Sequence, residues 1–280
     1  MSCSYKHMDF PFQNSLVSAE ILSVPLVREM LQYPHGMTYL LLDLQRLEKE
    51  LLKIAEQDVA IPFLSSLEQV YLKRLTSGKR KREWLGGRFA AKYAATGMLA
   101  QNGNTLPWSN LAVIADKNGR PFIASGENGA AMPDISISHS GNLAAAMAVS
   151  TGFCGIDIQK VTDRVVKVRE RFCSLNEAHI LGSFFSASRA NQSSILTRLW
   201  AAKEALRKVA NMNSLPGFLE LELAEINAGP SHNGPASWRF IFTWQHIDVH
   251  GNPVTHQCRV AVSHIVDYAL ALTARSDTVA

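Results

Sequence analysis

Residues 198–209 read RLWAAKEALRKV and set one acid, Glu204, among Lys203, Arg207 and Lys208. At 100° per residue, Leu199, Ala202, Ala205, Leu206 and Val209 gather on one face of a helix, and Trp200, Lys203, Glu204, Arg207 and Lys208 on the other. Glu204 and Lys208 stand four apart, which is also the spacing of an ordinary exposed ion pair. A second acid, Asp157, lies in the short apolar run GIDIQ (155–159). Strand alternation puts Asp157 and Gln159 on one face of that run and the two isoleucines on the other. Two carboxylates brought together repel unless a cation lies between them. A site with so few oxygen ligands keeps open positions, which suits magnesium bound together with a phosphate substrate. Lysines beside it would bind phosphate oxygens and balance charge as a leaving group departs. An Asp at a strand end is equally a common turn or cap residue.

A second cluster, SHSGN (138–142), combines hydroxyls, the His139 imidazole and turn N–H groups, an arrangement able to hold an anion. A serine-hydrolase reading fails, because the chain has no G-x-S-x-G elbow and adjacent strand residues point to opposite faces. Arg120 in the NGRPF turn adds positive charge, and the run Lys79–Arg82 reads as a solvated helix start. His246, His250, His256 and Cys258 cluster in sequence without making a zinc site. They fall on two strands of a hairpin turning at Gly251-Asn252-Pro253, and four residues along a strand separate side chains by ~13 Å.

The elements that must carry these residues show a repeat. LDLQRL (42–47) resembles IDIQKV (156–161), FAAKYA (89–94) resembles WAAKEA (200–205), and SHSGNLAAA (138–146) resembles SHIVDYALA (263–271). The order is the same in both halves, which pairs Asp43 with Asp157, Tyr93 with Glu204, and Ser138-His139 with Ser263-His264. The repeat predicts an N-terminal extension (1–36) and two α+β halves, 37–150 and 151–280, the second carrying the two acids. MTYLLLDL and FCGIDIQ read as opening strands, and DISIS turns at Ser140-Gly141-Asn142 into LAAAMAV as a hairpin. Helices are expected over 83–101, 164–185 and 193–211.

Bulk properties are those of an ordinary globular chain. Of 280 residues, 47% are hydrophobic and 19% charged, and a net charge of +4 is too small to argue for nucleic-acid binding. The N-terminus has no signal-peptide pattern, the apolar runs are too short to span a bilayer, and the four cysteines are widely spaced. These features point to a cytoplasmic protein with reduced cysteines and no membrane partner.

Three motifs, taken in order, resemble the 4′-phosphopantetheinyl transferase family, in its larger two-halved form. They are NGRPF (118–122) with ISISHS (135–140), GIDIQ (155–159), and LWAAKEALRK (199–208), which matches the family's (F/W)-x-x-K-E-(S/A)-x-x-K signature. WLGGRFAAK (84–92) fits the corresponding helix of the family's first half. The resemblance implies two similar α+β halves related by pseudo-twofold symmetry, with the active site between them. It implies transfer of the phosphopantetheine arm of coenzyme A to a serine of an apo acyl or peptidyl carrier protein, with release of 3′,5′-ADP. Such carriers serve fatty-acid, polyketide or nonribosomal-peptide synthesis. Magnesium would be held by Asp157 and Glu204, with Gln159 where many members carry a third acid. Glu204, Asp157 and Lys208 would be catalytic. Arg120, Pro121, Ser138, His139, Lys203 and Lys208 would bind coenzyme A. A two-halved chain of this kind is expected to build one active site and to act as a monomer. The bare residue set also suits another magnesium-dependent phosphoryl transferase or nucleotide hydrolase, or a non-catalytic coenzyme A- or carrier-binding protein.

Overall fold

The computed structural model describes residues 12–17, 22–55, 63–101, 103–125, 131–186, 188, 190–210, 216–229, 236–247 and 253–276. After α1 (Val24–Leu31) the chain runs β1 (Met37–Asp43), α2 (Leu44–Ala55), α3 (Ser66–Arg74), α4 (Gly78–Gln101), β2 (Leu111–Ala115), β3 (Pro121–Ser125), β4 (Asp134–Ser140) and β5 (Leu143–Val149). It continues with β6 (Phe153–Lys160), α5 (Arg164–Lys167), α6 (Leu175–Phe185), α7 (Gln192–Ala210), β7 (Leu221–Ala228), β8 (Ser237–Ile247), β9 (Pro253–Ile265) and β10 (Tyr268–Arg275). Each half is thus a strand, three helices and four strands. The second half forms one sheet in the order β6-β10-β9-β8-β7; the first keeps β1-β5-β4 and a separate β2-β3 hairpin. The α+β expectation holds, and the strand order of one half is that of the other with a break between β4 and β3.

The helix expected over 164–185 is interrupted. Ser174 accepts the Glu177 N–H on its side chain while Glu177 accepts the Ser174 N–H, a capping box that starts α6 anew. Ser65 and Glu68 make the same box at the start of α3. In both halves the boxed glutamate then turns inward. Glu68 pairs with the fully buried Lys92 at 2.5 Å, and Glu177 with the fully buried Lys203 at 2.6 Å. Each lysine also donates to two backbone carbonyls, Phe63 and Trp108 in one half, Phe172 and Phe218 in the other. Each glutamate also accepts from the first of the later strands, Glu68 from Val113 N on the oxygen that Lys92 leaves free, Glu177 from Leu223 N on the same oxygen that holds Lys203. A buried charge survives only when paired and fully hydrogen-bonded, and both copies meet that condition with the same kinds of partner.

These matched pairs set Tyr93 equivalent to Glu204, as the repeat predicts. The strand pairing of Asp43 with Asp157 is out of register by three residues. Asp43 lies opposite Leu143, the first residue after the two-residue turn of the β4-β5 hairpin; in the second half that place is Tyr268, opposite Lys160. Asp157 lies opposite Ala271 and corresponds to Leu40. Asp43 instead caps α2, its Oδ1 accepting from Gln45 N, Arg46 N and the Asn142 side chain.

A core shared by both halves holds them together, with Tyr39, Leu41 and Met147 from the first and Ile156, Ile158, Leu270 and Leu272 from the second. Val27, Met30 and Leu31 of α1 close that core. The β8-β9 pairing agrees with the hairpin expectation, with His246 opposite Val254, although the turn residues Gly251 and Asn252 lie outside the described residues, as does Cys3. Cys154, Cys173 and Cys258 are free thiols. Among the described residues no helix is long and apolar enough to cross a membrane.

Candidate active site

The site lies where β4 of the first half runs beside β6 of the second. Both are edge strands, and the two run parallel. Instead of a backbone ladder, alternate side chains of β4 accept successive outward N–H groups of β6. Asp134 Oδ2 takes Cys154 N (2.8 Å), Ser136 Oγ takes Ile156 N (3.1 Å), Ser138 Oγ takes Ile158 N (3.3 Å) and Ser140 Oγ takes Lys160 N (3.0 Å). Such a row satisfies donors that a buried edge would otherwise leave orphaned. The alternation of DISISHS is its sequence trace, although the same pattern also fits a half-solvated strand.

On the opposite flank α7 packs against β6. Gly155 makes that approach possible, because a methyl group there would overlap the Ala205 carbonyl oxygen. Asp157, two residues along the same face, is buried, and its Oδ1 accepts from Ser138 Oγ (2.7 Å) and Lys208 Nζ (2.8 Å). Its Oδ2 is buried with no hydrogen-bond partner among the described residues. Glu204 lies one turn before Lys208 with its side chain 26% exposed, and Arg207 reaches it at 3.7 Å. Burial pushes the Glu204 carboxyl above the usual carboxylate range; the Asp157 charge adds to the rise, and Lys208 and Arg207 oppose it. A bare carboxylate oxygen beside a second, mutually repelled carboxylate fits a cation bound between them. Among the described residues no group of three or more His, Cys, Asp or Glu side chains could hold a metal, so such a site draws on these two acids and on oxygens of other kinds. Gln159, half-buried and next on the same face of β6, is placed to supply one.

Several expected ligands are already committed to the protein. Lys203 is not available to a phosphate, because it is fully buried and its charge belongs to Glu177. Arg120 pairs with Asp134 at 2.6 Å and donates to the carbonyls of Lys208 and Cys154. It therefore closes the far end of the seam, about 10 Å along β6 from Asp157. Pro121 opens β3 opposite Ala115. Ser138 is 8% exposed and gives its proton to Asp157. Lys208 stays part-exposed but also bridges the seam, donating to Ile137 O and Ile156 O. His139, next to Ser138, is exposed. The basic run is solvated at the start of α4, with Lys79 near Glu83 and Arg82 paired to Glu48. Sequence reasoning missed Glu177, Glu68 and the Asp134–Ser140 row; the S-x-x-E spacing at 65–68 and 174–177 was the available signal for the first two.

The sequence model of the 4′-phosphopantetheinyl transferase superfamily matches residues 153–273, the stretch that carries Asp157, Glu204 and Lys208. The holo-[acyl-carrier-protein] synthase of Bacillus subtilis is 37% identical over 86 residues, covering 30% of this chain and 69% of the relative. That of Streptococcus agalactiae serotype III is 32% identical over 111 residues, covering 39% of this chain and 91% of the relative. The chain belongs to the 4′-phosphopantetheinyl transferase superfamily. As a phosphopantetheinyl transferase it is an enzyme. A solved holo-(acyl-carrier-protein) synthase from Bacillus anthracis in complex with CoA (3′,5′-ADP) aligns at TM-score 0.33 and 28% identity, covering 41% of this chain and 93% of that one. In this transferase residues 37–150 lie outside the stretch that the superfamily's sequence model matches.

Proposed function

We propose that this enzyme moves the 4′-phosphopantetheine arm of coenzyme A to a serine hydroxyl of an apo acyl or peptidyl carrier protein in the cytoplasm, with one active site per monomer. The unpartnered Oδ2 of Asp157 beside Glu204, in a chain of this superfamily, is the observation that supports the reading most. The curated relatives, named for acyl-carrier-protein, favour an acyl carrier as the protein substrate.

In the reaction the carrier serine oxygen forms a bond to the phosphorus nearer the pantetheine, and the bond from that phosphorus to the bridging oxygen breaks. The adenosine 3′,5′-bisphosphate part leaves with the electron pair. Glu204, held by burial above the ordinary carboxylate range, accepts the serine proton. Asp157, Glu204 and Gln159 would hold magnesium, which when bound would supply positive charge to the pyrophosphate and to the departing phosphate. Lys208 keeps Asp157 in place and adds positive charge beside the transferring group. His139, exposed at the mouth of the seam, is the first-half candidate for a coenzyme A phosphate. The test is the intact mass of an apo acyl carrier protein after incubation with enzyme, coenzyme A and magnesium. A gain of one phosphopantetheine arm supports the reading, and an unmodified carrier across a panel of carrier types rejects it.

A further inference from the structure

We infer that Ser138 is a positioning residue of the transfer site, aiming the bare Oδ2 of Asp157 at the metal position from the opposite half of the molecule. The inference rests on the metal role proposed for Asp157 and Glu204.

A serine hydroxyl has one proton to give. At Ser138 the amide of Ile158 occupies an oxygen lone pair at 3.3 Å, and the proton goes to Asp157 Oδ1 at 2.7 Å. Lys208 donates to that same oxygen from α7 at 2.8 Å. With both bonds on Oδ1, the carboxylate plane is fixed and Oδ2 has one direction to face. Ser136 and Ser140 supply built-in controls. Each takes a β6 amide just as Ser138 does, at 3.1 and 3.0 Å, but only Ser138 reaches a carboxylate among the described hydrogen bonds of this row. The seam is thus structural at three rungs, and at the fourth it also orients a site acid. Partners that orient a metal ligand typically govern affinity by about 10- to 100-fold.

The experiment titrates the full-length protein, saturated with coenzyme A, with manganous chloride and follows loss of the free-ion electron paramagnetic resonance signal. Ser138→Ala should weaken manganese binding about 10-fold or more. Ser138→Thr, which keeps the hydroxyl, should stay close to wild type, and so should Ser136→Ala, which removes an equivalent seam bond. Coenzyme A affinity without metal, measured by calorimetry, should be the same for Ser138→Ala and wild type. Wild-type manganese affinity in Ser138→Ala, an equal loss in Ser136→Ala, or a matching loss of metal-free coenzyme A binding overturns the positioning role. Asp157→Asn separates the two claims. If it binds manganese as tightly as wild type, the proposed metal site itself falls; if it loses the ion while Ser138→Ala does not, only the present inference falls.

Discussion

The two halves build the same buried scaffold and opposite surfaces above it. Lys92–Glu68 and Lys203–Glu177 share the same kinds of partner, down to the capping boxes and the paired backbone carbonyls. Over that scaffold, the positions of Asp157, Gln159, Glu204 and Lys208 are taken in the first half by Leu40, Leu42, Tyr93 and Gly97. Leu40 and Leu42 are buried in the first-half core, where Tyr93 packs beside them. The strand–helix spacing differs too. In the first half Thr38 Oγ1 donates to Ala94 O at 2.6 Å, whereas at the equivalent place Gly155 faces Ala205 O with no side chain between. One copy thus uses this face as core, and the other lets the helix settle closer and turns the same face into a polar site. The fold demands the lysine of A-A-K; it does not demand the glutamate after it.

The largest expected contrast is at the helix position that differs. Glu204→Gln should lower carrier modification by about 10²- to 10⁴-fold, the usual worth of a positioned general base. Tyr93→Phe at the equivalent place should leave the rate unchanged in the same intact-mass assay. Equal effects at both positions would break the division of labour. The scaffold should behave in the opposite way. Lys92→Ala and Lys203→Ala should each destabilise the protein by about 3–5 kcal/mol in urea unfolding, because each strands a buried carboxylate. A large loss at one lysine and none at the other would mean the copies are not energetically equivalent.

Gly155→Ala tests the closer helix approach. The added methyl meets backbone at Ala205, so overpacking should cost about 1–3 kcal/mol. Transfer should fall with it as α7 shifts from β6. Thr38→Ala, which only removes a hydrogen bond in the first half, should cost stability without lowering the rate of the folded enzyme. The smallest effect concerns pH. Folding raises the Glu204 carboxyl, first by burial and then by Asp157. Ionising it in the folded state therefore carries a cost that is absent below its unfolded pKa and fully present above its raised folded one. In metal-free buffer the stability of Glu204→Gln relative to wild type should rise as pH climbs through that window and then level off. Tyr93→Phe should show no such trend over the same acid range, and a flat profile for Glu204→Gln would remove the strain argument.

Much of this was readable from the chain because it is local. Strand alternation put Asp157 and Gln159 on one face, the wheel grouped Glu204 with Lys208, and the A-A-K repeat matched Tyr93 to Glu204. The errors came where distant elements decide. A helical wheel places Lys203 beside Glu204 on the polar side, but only the third dimension brings Glu177 of α6 over it and seals it. The likeness of LDLQRL to IDIQKV is local and outvotes the hairpin register, which sets Asp43 against Lys160. Arg120 and Ser138 carry the right chemistry for an anion, yet each meets a protein carboxylate first. Nothing in a one-dimensional pattern shows that β4 and β6 are neighbours.

The serine row along that seam is also a repeating code, with a period of two residues. Sliding β4 by one repeat would still offer a hydroxyl to most of the same amides, so the serines give grip without an address. The address is written at the ends, where nothing repeats. Arg120 locks Asp134 at one end, and at the other Tyr268 accepts the Asn142 N–H at 3.0 Å. Which serine faces Asp157 is thus decided by residues that never touch it.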